Sequence, residues 1–321
     1  MTNWLKYALG IIVFLLVILL YVGWTPDIPH DELTTKYATG ASDFIDLPSG
    51  TKAHYRVQGN DTGPTVLLLH GSNASLHTWD GWVTALEDDF FVVSVDLPGH
   101  GLTGPTPNSN YSYTAMAAFI KEFTEVLEIN KFFLAGNSMG GAVSLQYALE
   151  YPAHILGLVL LDSAGIATPQ AALKKVNRPL AFDLAGHWYG TWILQNITPR
   201  SMVIEGLEKS FNNSALITDE MIDRYWELVR HPGNREATNI RFAWYRDEQE
   251  ELLIDKITLP TLIIWGEEDQ LIPLEVGQAF HRRIKGSKLI TFDGIGHIPM
   301  EESPVNTAKA AKAFMLQVAS N

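Results

Sequence analysis

The chain has 321 residues, 46% of them hydrophobic, a formal net charge of −13 and no cysteine. That length and apolar content suffice for one large core, and no internal repeat or low-complexity linker divides it. The acidic balance argues against nucleic acid or an anionic lipid surface as the main partner, since both favour a basic patch. The lack of cysteine excludes disulfides and thiol chemistry and leaves the compartment open.

In chain order, the first feature is Tyr7 to Trp24, an apolar run without a charge and with aromatic residues at both ends. It sits at the lower end of the length that a bilayer-spanning helix needs, and no small-x-small cleavage site precedes Thr25-Pro26-Asp27. Residues 1–26 are therefore expected to be an uncleaved membrane anchor, with Trp4, Tyr7, Tyr21 and Trp24 at the two interfaces. The alternatives are a signal peptide cleaved from a secreted protein, or a buried core helix. Lys6 and the terminal amine put the N-terminus in the cytosol and the remainder on the opposite, periplasmic or extracytoplasmic, side.

Asp43 to Leu47 and Lys52 to Gln58 flank Pro48-Ser49-Gly50-Thr51 as an antiparallel hairpin. Strand-like runs follow at Val66 to Leu69, Phe91 to Val95, Phe132 to Ala135, Leu158 to Leu161, Leu262 to Trp265 and Lys288 to Phe292. Helical patterns fill the intervals, as the crossovers of a parallel sheet require. Between Ser163 and Glu250 the strand pattern stops and helical periodicity takes over, with Phe182, Trp188, Tyr189, Trp192, Phe211, Tyr225, Trp226, Phe242, Trp244 and Tyr245 along it. The expected organisation is a core made of 27–162 and 251–321, with 163–250 as a helical cap over the strand ends. Most of the aromatics are expected in the core of that cap, with about a third or fewer against substrate.

The stretch that carries chemistry is Gly136-Asn137-Ser138-Met139-Gly140, of the form G-x-S-x-G between a strand-like and a helix-like run. A sharp turn there lifts a serine hydroxyl off the sheet end, and glycine avoids a clash where the backbone doubles back. Ser138 is the candidate nucleophile. It needs a base and an acid later in the chain, in the order serine, acid, histidine. His281 lies in a charged, amphipathic helical stretch; His297 lies in the loop Gly294 to Pro299 after a strand, where catalytic groups are commonly mounted, and is the candidate base. Two carboxylates follow apolar strands in between, Asp162 and Asp269. Asp269 leaves room for one helix and one strand before His297 and is the candidate acid, with Asp162 read as a strand terminus or helix cap. His70-Gly71-Ser72-Asn73 follows a buried strand, so the N–H groups of Ser72 and Met139 are the candidate oxyanion donors, while His70 is expected to brace its loop. The chain has no H-E-x-x-H, no G-x-x-x-x-G-K-[ST] and no clustered ligands of the usual spacing, so neither a metal nor an organic cofactor is expected.

His70-Gly71, Asp96-Leu97-Pro98-Gly99-His100-Gly101, Gly136 to Gly141, Gly266-Glu267-Glu268-Asp269 and Gly296-His297 occur in the order and rough spacing of the α/β-hydrolase superfamily, which residues 43–318 resemble. The elbow resembles that of membrane-anchored monoacylglycerol lipases, of small carboxylesterases and of the carbon-carbon bond hydrolases that open ring-cleavage products. The resemblance implies Ser138, Asp269 and His297 as a triad, with Ser72 and Met139 at the oxyanion. A serine at the elbow speaks against haloalkane dehalogenases and epoxide hydrolases, which carry an aspartate there. The expected activity is hydrolysis of lipid-like or medium-chain acyl esters through an acyl-enzyme on Ser138. The alternatives are carbon-carbon bond hydrolysis of diketo acids, or a non-catalytic binding protein of the same fold. The pocket is expected to be mostly apolar, with few groups suited to a carboxylate or phosphate.

Overall fold

The computed structural model describes residues 4–8, 10–11, 14, 23–177, 183–184, 187–247 and 251–320, with side chains for all of these except 188 and 245–247. Eight strands form one sheet in the order β1-β2-β4-β3-β5-β6-β7-β8. They are β1 (Ser42–Asp46), β2 (Lys52–Gly59), β3 (Thr65–Leu69), β4 (Phe91–Val95), β5 (Phe132–Asn137), β6 (Ile155–Leu161), β7 (Thr261–Gly266) and β8 (Lys288–Phe292). β2 runs antiparallel to both β1 and β4, and the remaining pairs are parallel. Every strand-like run of the sequence falls within or against one of these strands. β5 is longer than its apolar run because Gly136 and Asn137 pair with Leu160 and Leu161, which carries the strand up to Ser138.

The parallel strands β3 to β7 are buried on both faces, so their apolar residues run nearly continuously and do not alternate, whereas β8 at the sheet edge is partly exposed. On one face, Leu67, Leu69, Val93, Val95, Phe132 and Leu134 pack with Met116, Ile120, Val143, Leu145, Val276 and Phe280. The helices supplying them are α3 (Tyr113–Val126), α4 (Met139–Glu150) and α9 (Leu274–Arg283). On the other, Val66, Leu68, Val92, Phe133 and Ala135 meet Trp82, Leu86, Ala308, Ala311 and Met315. These come from α2 (Asp80–Leu86) and α11 (Pro304–Ala319), which are further joined by a buried bond from Trp82 Nε1 to Thr307 Oγ1 of 2.9 Å. Two polar caps start helices where the sequence changes from turn to amphipathic pattern: Ser112 accepts from the Ala115 N–H ahead of α3, and Thr218 from the Met221 N–H.

Between β6 and β7 the regular elements among the described residues are helical: α5 (Trp188–Asn196), α6 (Arg200–Ser210), α7 (Asp219–Val229) and α8 (Asn234–Asp247), with short 3-10 turns. Residues just after the N-terminal run are tied to this insertion. The Thr25 N–H donates to the Asn196 carbonyl (2.8 Å), the Ile28 N–H to that of Arg230 (2.9 Å), and the Arg235 guanidinium to the Asp27 carboxylate (2.6 Å). α1 (His30–Tyr37) follows, and α10 (Pro299–Glu302) links the loop after β8 to α11.

The membrane-spanning helix expected over 7–24 is not supported. Among the described residues no helix is long and apolar enough to cross a membrane. Residues 9, 12–13 and 15–22 of that run, including Tyr21, lie outside the described residues.

Candidate active site

Ser138 is held in a conformation that a serine adopts only when its surroundings impose it, with φ of 52° and ψ of −115°. The turn is enforced from both sides. A side chain at Gly136 would stand 2.3 Å from the Gly140 carbonyl, and one at Gly140 would stand 2.3 Å from that of Leu69, so strand, turn and helix fit only with glycine at both positions. The Ser138 N–H donates to the Leu161 carbonyl (3.0 Å), while its own carbonyl accepts from Ala142 and Ala164. The side chain is left half-buried, on the wall of a cavity. Met139 opens α4, so its N–H has no acceptor within the helix, and the residue lines the same cavity as Ser138. Ser72 and Asn73 line that space from the loop after β3, and Asn73 takes a left-handed φ of 57°.

His297 reaches the cavity from the loop after β8. Its Nδ1 is 2.7 Å from Asp269 Oδ2, and both side chains are buried. Asp269 is itself fixed, since Oδ1 accepts from the N–H groups of Leu271 (2.8 Å) and Ile272 (2.9 Å). With Asp269 as acceptor, Nδ1 carries the proton and Nε2 is available as a base. The His297 loop is anchored by contacts that sequence reading missed. Its N–H donates to the Ser210 carbonyl of α6 (2.7 Å), and Glu302 accepts from Gly296 (2.6 Å) and Asn213 (2.7 Å). Asn137, next to the serine, donates to the carbonyls of Leu161 (3.1 Å) and His297 (3.0 Å), tying elbow to loop. Asn137 and, through Asn213, Glu302 join segments far apart in sequence, so no local pattern marks these ties.

The other candidates fall elsewhere. His281 is exposed on α9, where its ring meets Ser287 (3.0 Å). His70 braces its loop: Nδ1 donates to the Gly71 carbonyl (2.7 Å), Nε2 accepts from the Leu97 N–H (2.9 Å), and burial lowers its pKa, so it is neutral. Asp162 closes β6 beside the pair, and atoms of Asp162, Asp269 and His297 suited to metal ligation all lie within 4.8 Å of one another. Burial, followed by the charge of Asp269, pushes the Asp162 carboxyl well above the usual carboxylate range.

The cavity holds about 780 Å³ and has two unlike walls. Met202, Val203 and Leu207 of α6, with Ile166, Leu271 and Ile272, form an apolar wall. Asn73, Arg235, Thr238, Asn239 and Arg241 form a polar one, mostly from α8. This corrects the expectation of few cationic groups. Arg235, Thr238, Asn239 and Phe242 recur at three- and four-residue steps and so share one face of α8, a stripe that was readable in the sequence. Arg235 is neutralised in part by Asp27, and Asn239 donates through Nδ2 to the Arg235 carbonyl (3.0 Å), which fixes the amide orientation and leaves the buried Oδ1 without a donor. Among the aromatics of this region Tyr225 and Phe242 line the cavity, Phe211 is buried, and Tyr189 and Trp192 are exposed. Phe182, and the side chains of Trp188 and Tyr245, lie outside the described residues.

Known proteins share this arrangement of elements. Residues 64–304 match the family described as alpha/beta hydrolase fold. The chain is 28% identical over 280 residues to lipase 3 of Moraxella sp. (strain TA144), covering 84% of this chain and 83% of that protein. It is 28% identical over 274 residues to a monoacylglycerol lipase of Xenopus laevis, covering 80% and 77%. Among solved structures, a meta-cleavage product hydrolase superposes with a TM-score of 0.72 at 23% identity, covering 86% of this chain and 98% of that one, which is a likeness of fold. With well over half of its length inside the family match, the chain belongs to the alpha/beta hydrolase fold family.

Proposed function

We propose that the protein is a serine hydrolase of carboxylic esters that works through an acyl-enzyme on Ser138. The observation that carries this reading is the 2.7 Å bond from His297 to Asp269 on the wall of a cavity shared with Ser138, whose strained turn exposes its hydroxyl. His297 Nε2 takes the Ser138 proton as Oγ attacks the acyl carbonyl. The oxyanion accepts hydrogen bonds from the N–H groups of Ser72 and Met139, donors that need no reorganisation when charge develops. His297 returns its proton to the departing alcohol, and a water activated in the same way releases the acid. Asp269 keeps the imidazole in the productive tautomer and stabilises its charged form.

The two walls support an amphipathic substrate, with the acyl chain against Met202, Val203 and Leu207 and the alcohol part beside Asn73, Thr238 and Asn239. Each buried methylene adds about 0.8 kcal/mol, so specificity for chain length follows if that energy is expressed in the transition state. The lipase and monoacylglycerol lipase relatives agree with this substrate class. Arg235 and Arg241 favour one competing reading, carbon-carbon bond hydrolysis of an anionic diketo acid, since a guanidinium suits a carboxylate. Measuring kcat/KM for p-nitrophenyl esters of graded length and for a vinylogous diketo acid on one preparation separates the two. The ester reading predicts a rise from acetyl to a medium chain followed by a plateau or fall. A large preference for the diketo acid overturns it. Location at a membrane is carried by the sequence run 7–24 alone, and fractionation of the full-length chain beside one lacking residues 1–26 tests it.

A further inference from the structure

Asp162 is a buried acid that the mechanism above leaves idle. It is fully buried and takes a φ of 43°, a left-handed conformation that costs a non-glycine residue energy. Its Oδ1 accepts from the N–H of Gly266, the last residue of β7 (2.9 Å), and its Oδ2 has no hydrogen-bond partner. The Asp162 N–H donates to the Ile264 carbonyl (3.0 Å), so the residue is pinned between the ends of two neighbouring strands. Gly266 lies three residues before Asp269, which brings a second carboxyl up to the same imidazole. One carboxylate oxygen each from Asp162 and Asp269 and one ring nitrogen of His297 lie within 4.8 Å of one another.

We propose that Asp162 is a second acid position for His297, protonated while Asp269 carries the charge and able to take over the Nδ1 hydrogen bond when Asp269 is neutral. The inference rests on the reading of Ser138 and His297 as nucleophile and base. Two carboxylates this close cannot both ionise in a buried site, so one holds a proton. Asp269, with two backbone donors and the His297 ring, is the better charged partner; Asp162, with one backbone donor, is the better protonated one. Burial and the Asp269 charge act in that direction. Removing the Asp269 charge removes the repulsion. Asp162 then loses its proton to solvent and accepts from His297 Nδ1. It acts through His297 and is a positioning residue.

The test is the second-order rate of Ser138 labelling by a fluorophosphonate, which needs no ester substrate, measured across pH. The proteins compared are wild type, Asp269→Asn, and the double variant Asp269→Asn with Asp162→Asn. Loss of the orienting acid from a triad lowers the rate about 10⁴-fold. The proposal predicts a fall of about 10²-fold for Asp269→Asn and the full ~10⁴-fold for the double variant. The single variant also shows an ionisation that the double variant lacks; the titratable groups facing Asp162 are Asp269, Glu302 and His297, so with Asp269 removed the missing step reports Asp162. Asp162→Glu in the Asp269→Asn background restores part of the rate, which a purely structural aspartate would not allow. Should the double Asn variant fail to fold, Asp162→Ser in the Asp269→Asn background takes its place. Equal rates and equal pH profiles for the single and double variants overturn the proposal. No labelling of the wild type overturns the nucleophile reading itself, and the inference with it.

Discussion

β4 and β6 each lead straight into an aspartate, Asp96 and Asp162, and neither is exposed at all. Around Asp96 the donors are complete. Oδ2 accepts from His54 Nδ1 (2.6 Å) and the Leu102 N–H (2.8 Å), and Oδ1 from the Leu76 N–H (2.7 Å). Burial pushes this carboxyl up, but the His54 ring bonded to it outweighs burial and holds the group well below the usual range. Asp162 has one backbone donor and a negative neighbour, and burial together with that neighbour pushes its carboxyl well above the usual range. The same residue type at equivalent ends of two parallel strands, separated in the sheet by β3 and β5, is therefore driven toward opposite charge states, decided by how many donors reach it. The ionised one organises the loops after β3 and β4 behind the oxyanion donors. The neutral one stands beside the acid-base pair.

The comparison is most directly broken by replacing each acid with asparagine. In Asp96→Asn an amide nitrogen must face either the paired donors at Oδ2 or the Leu76 N–H, leaving buried donors opposed. We expect a loss of about 3–5 kcal/mol in urea unfolding, the range for breaking a buried charged pair. Asp162→Asn keeps a neutral, hydrogen-bonding side chain and removes the cost of holding a carboxyl protonated, so at neutral pH it should lower stability by no more than about 1 kcal/mol and can raise it. Losses of similar size from both variants would contradict the donor-count account.

A finer contrast lies in pH. Asp96 has a depressed folded pKa, so its contribution is present above the unfolded value near 4 and is lost as pH falls through the folded one. Asp162 has a raised folded pKa, so the unfolded state releases its proton first and stability declines as pH rises above about 4. Thermal melts of Asp162→Asn should show a flatter decline on the neutral side of pH 4, by up to about 1.4 kcal/mol per pH unit, whereas Asp96→Asn should lose its dependence on the acid side. Identical pH profiles for wild type and Asp162→Asn would mean that the carboxyl is charged in the folded protein.

The smallest effect extends donor counting into the cavity. Asn239 Oδ1 is a buried acceptor lacking a donor, so an alcohol portion bearing hydroxyls should be favoured over one of the same size without them. With the acyl chain held constant, a glyceryl ester should exceed a propyl ester about tenfold in kcat/KM, and Asn239→Leu should bring that ratio close to one. A wild-type ratio of one would remove Asn239 from substrate recognition.

Much of this was legible in the sequence because its signals are local. The eight strand runs, the elbow around Ser138 and the choice of His297 over His281 rest on short patterns tied to backbone geometry, and the structure brings Asp269, ahead of Asp162, onto His297. What escaped is non-local. Glu302 ties the His297 loop, through the Gly296 N–H, to the turn after α6, through the Asn213 N–H, and the completeness of the donors around Asp96 depends on β2, the loop after β3 and the loop after β4 together. The polar wall was misjudged for another reason. The expectation of few groups suited to a carboxylate left out that Arg235, Thr238 and Asn239 share one helical face, whose residues line the cavity.

The central claim, that Ser138 is the nucleophile, is tested most directly by exposing the full-length protein to a fluorophosphonate and locating the adduct by peptide mass spectrometry. The account predicts stoichiometric modification of Ser138, abolished in Ser138→Ala and slowed by at least about 10³-fold in His297→Ala. An adduct on a different residue, or undiminished labelling of Ser138→Ala, would contradict it.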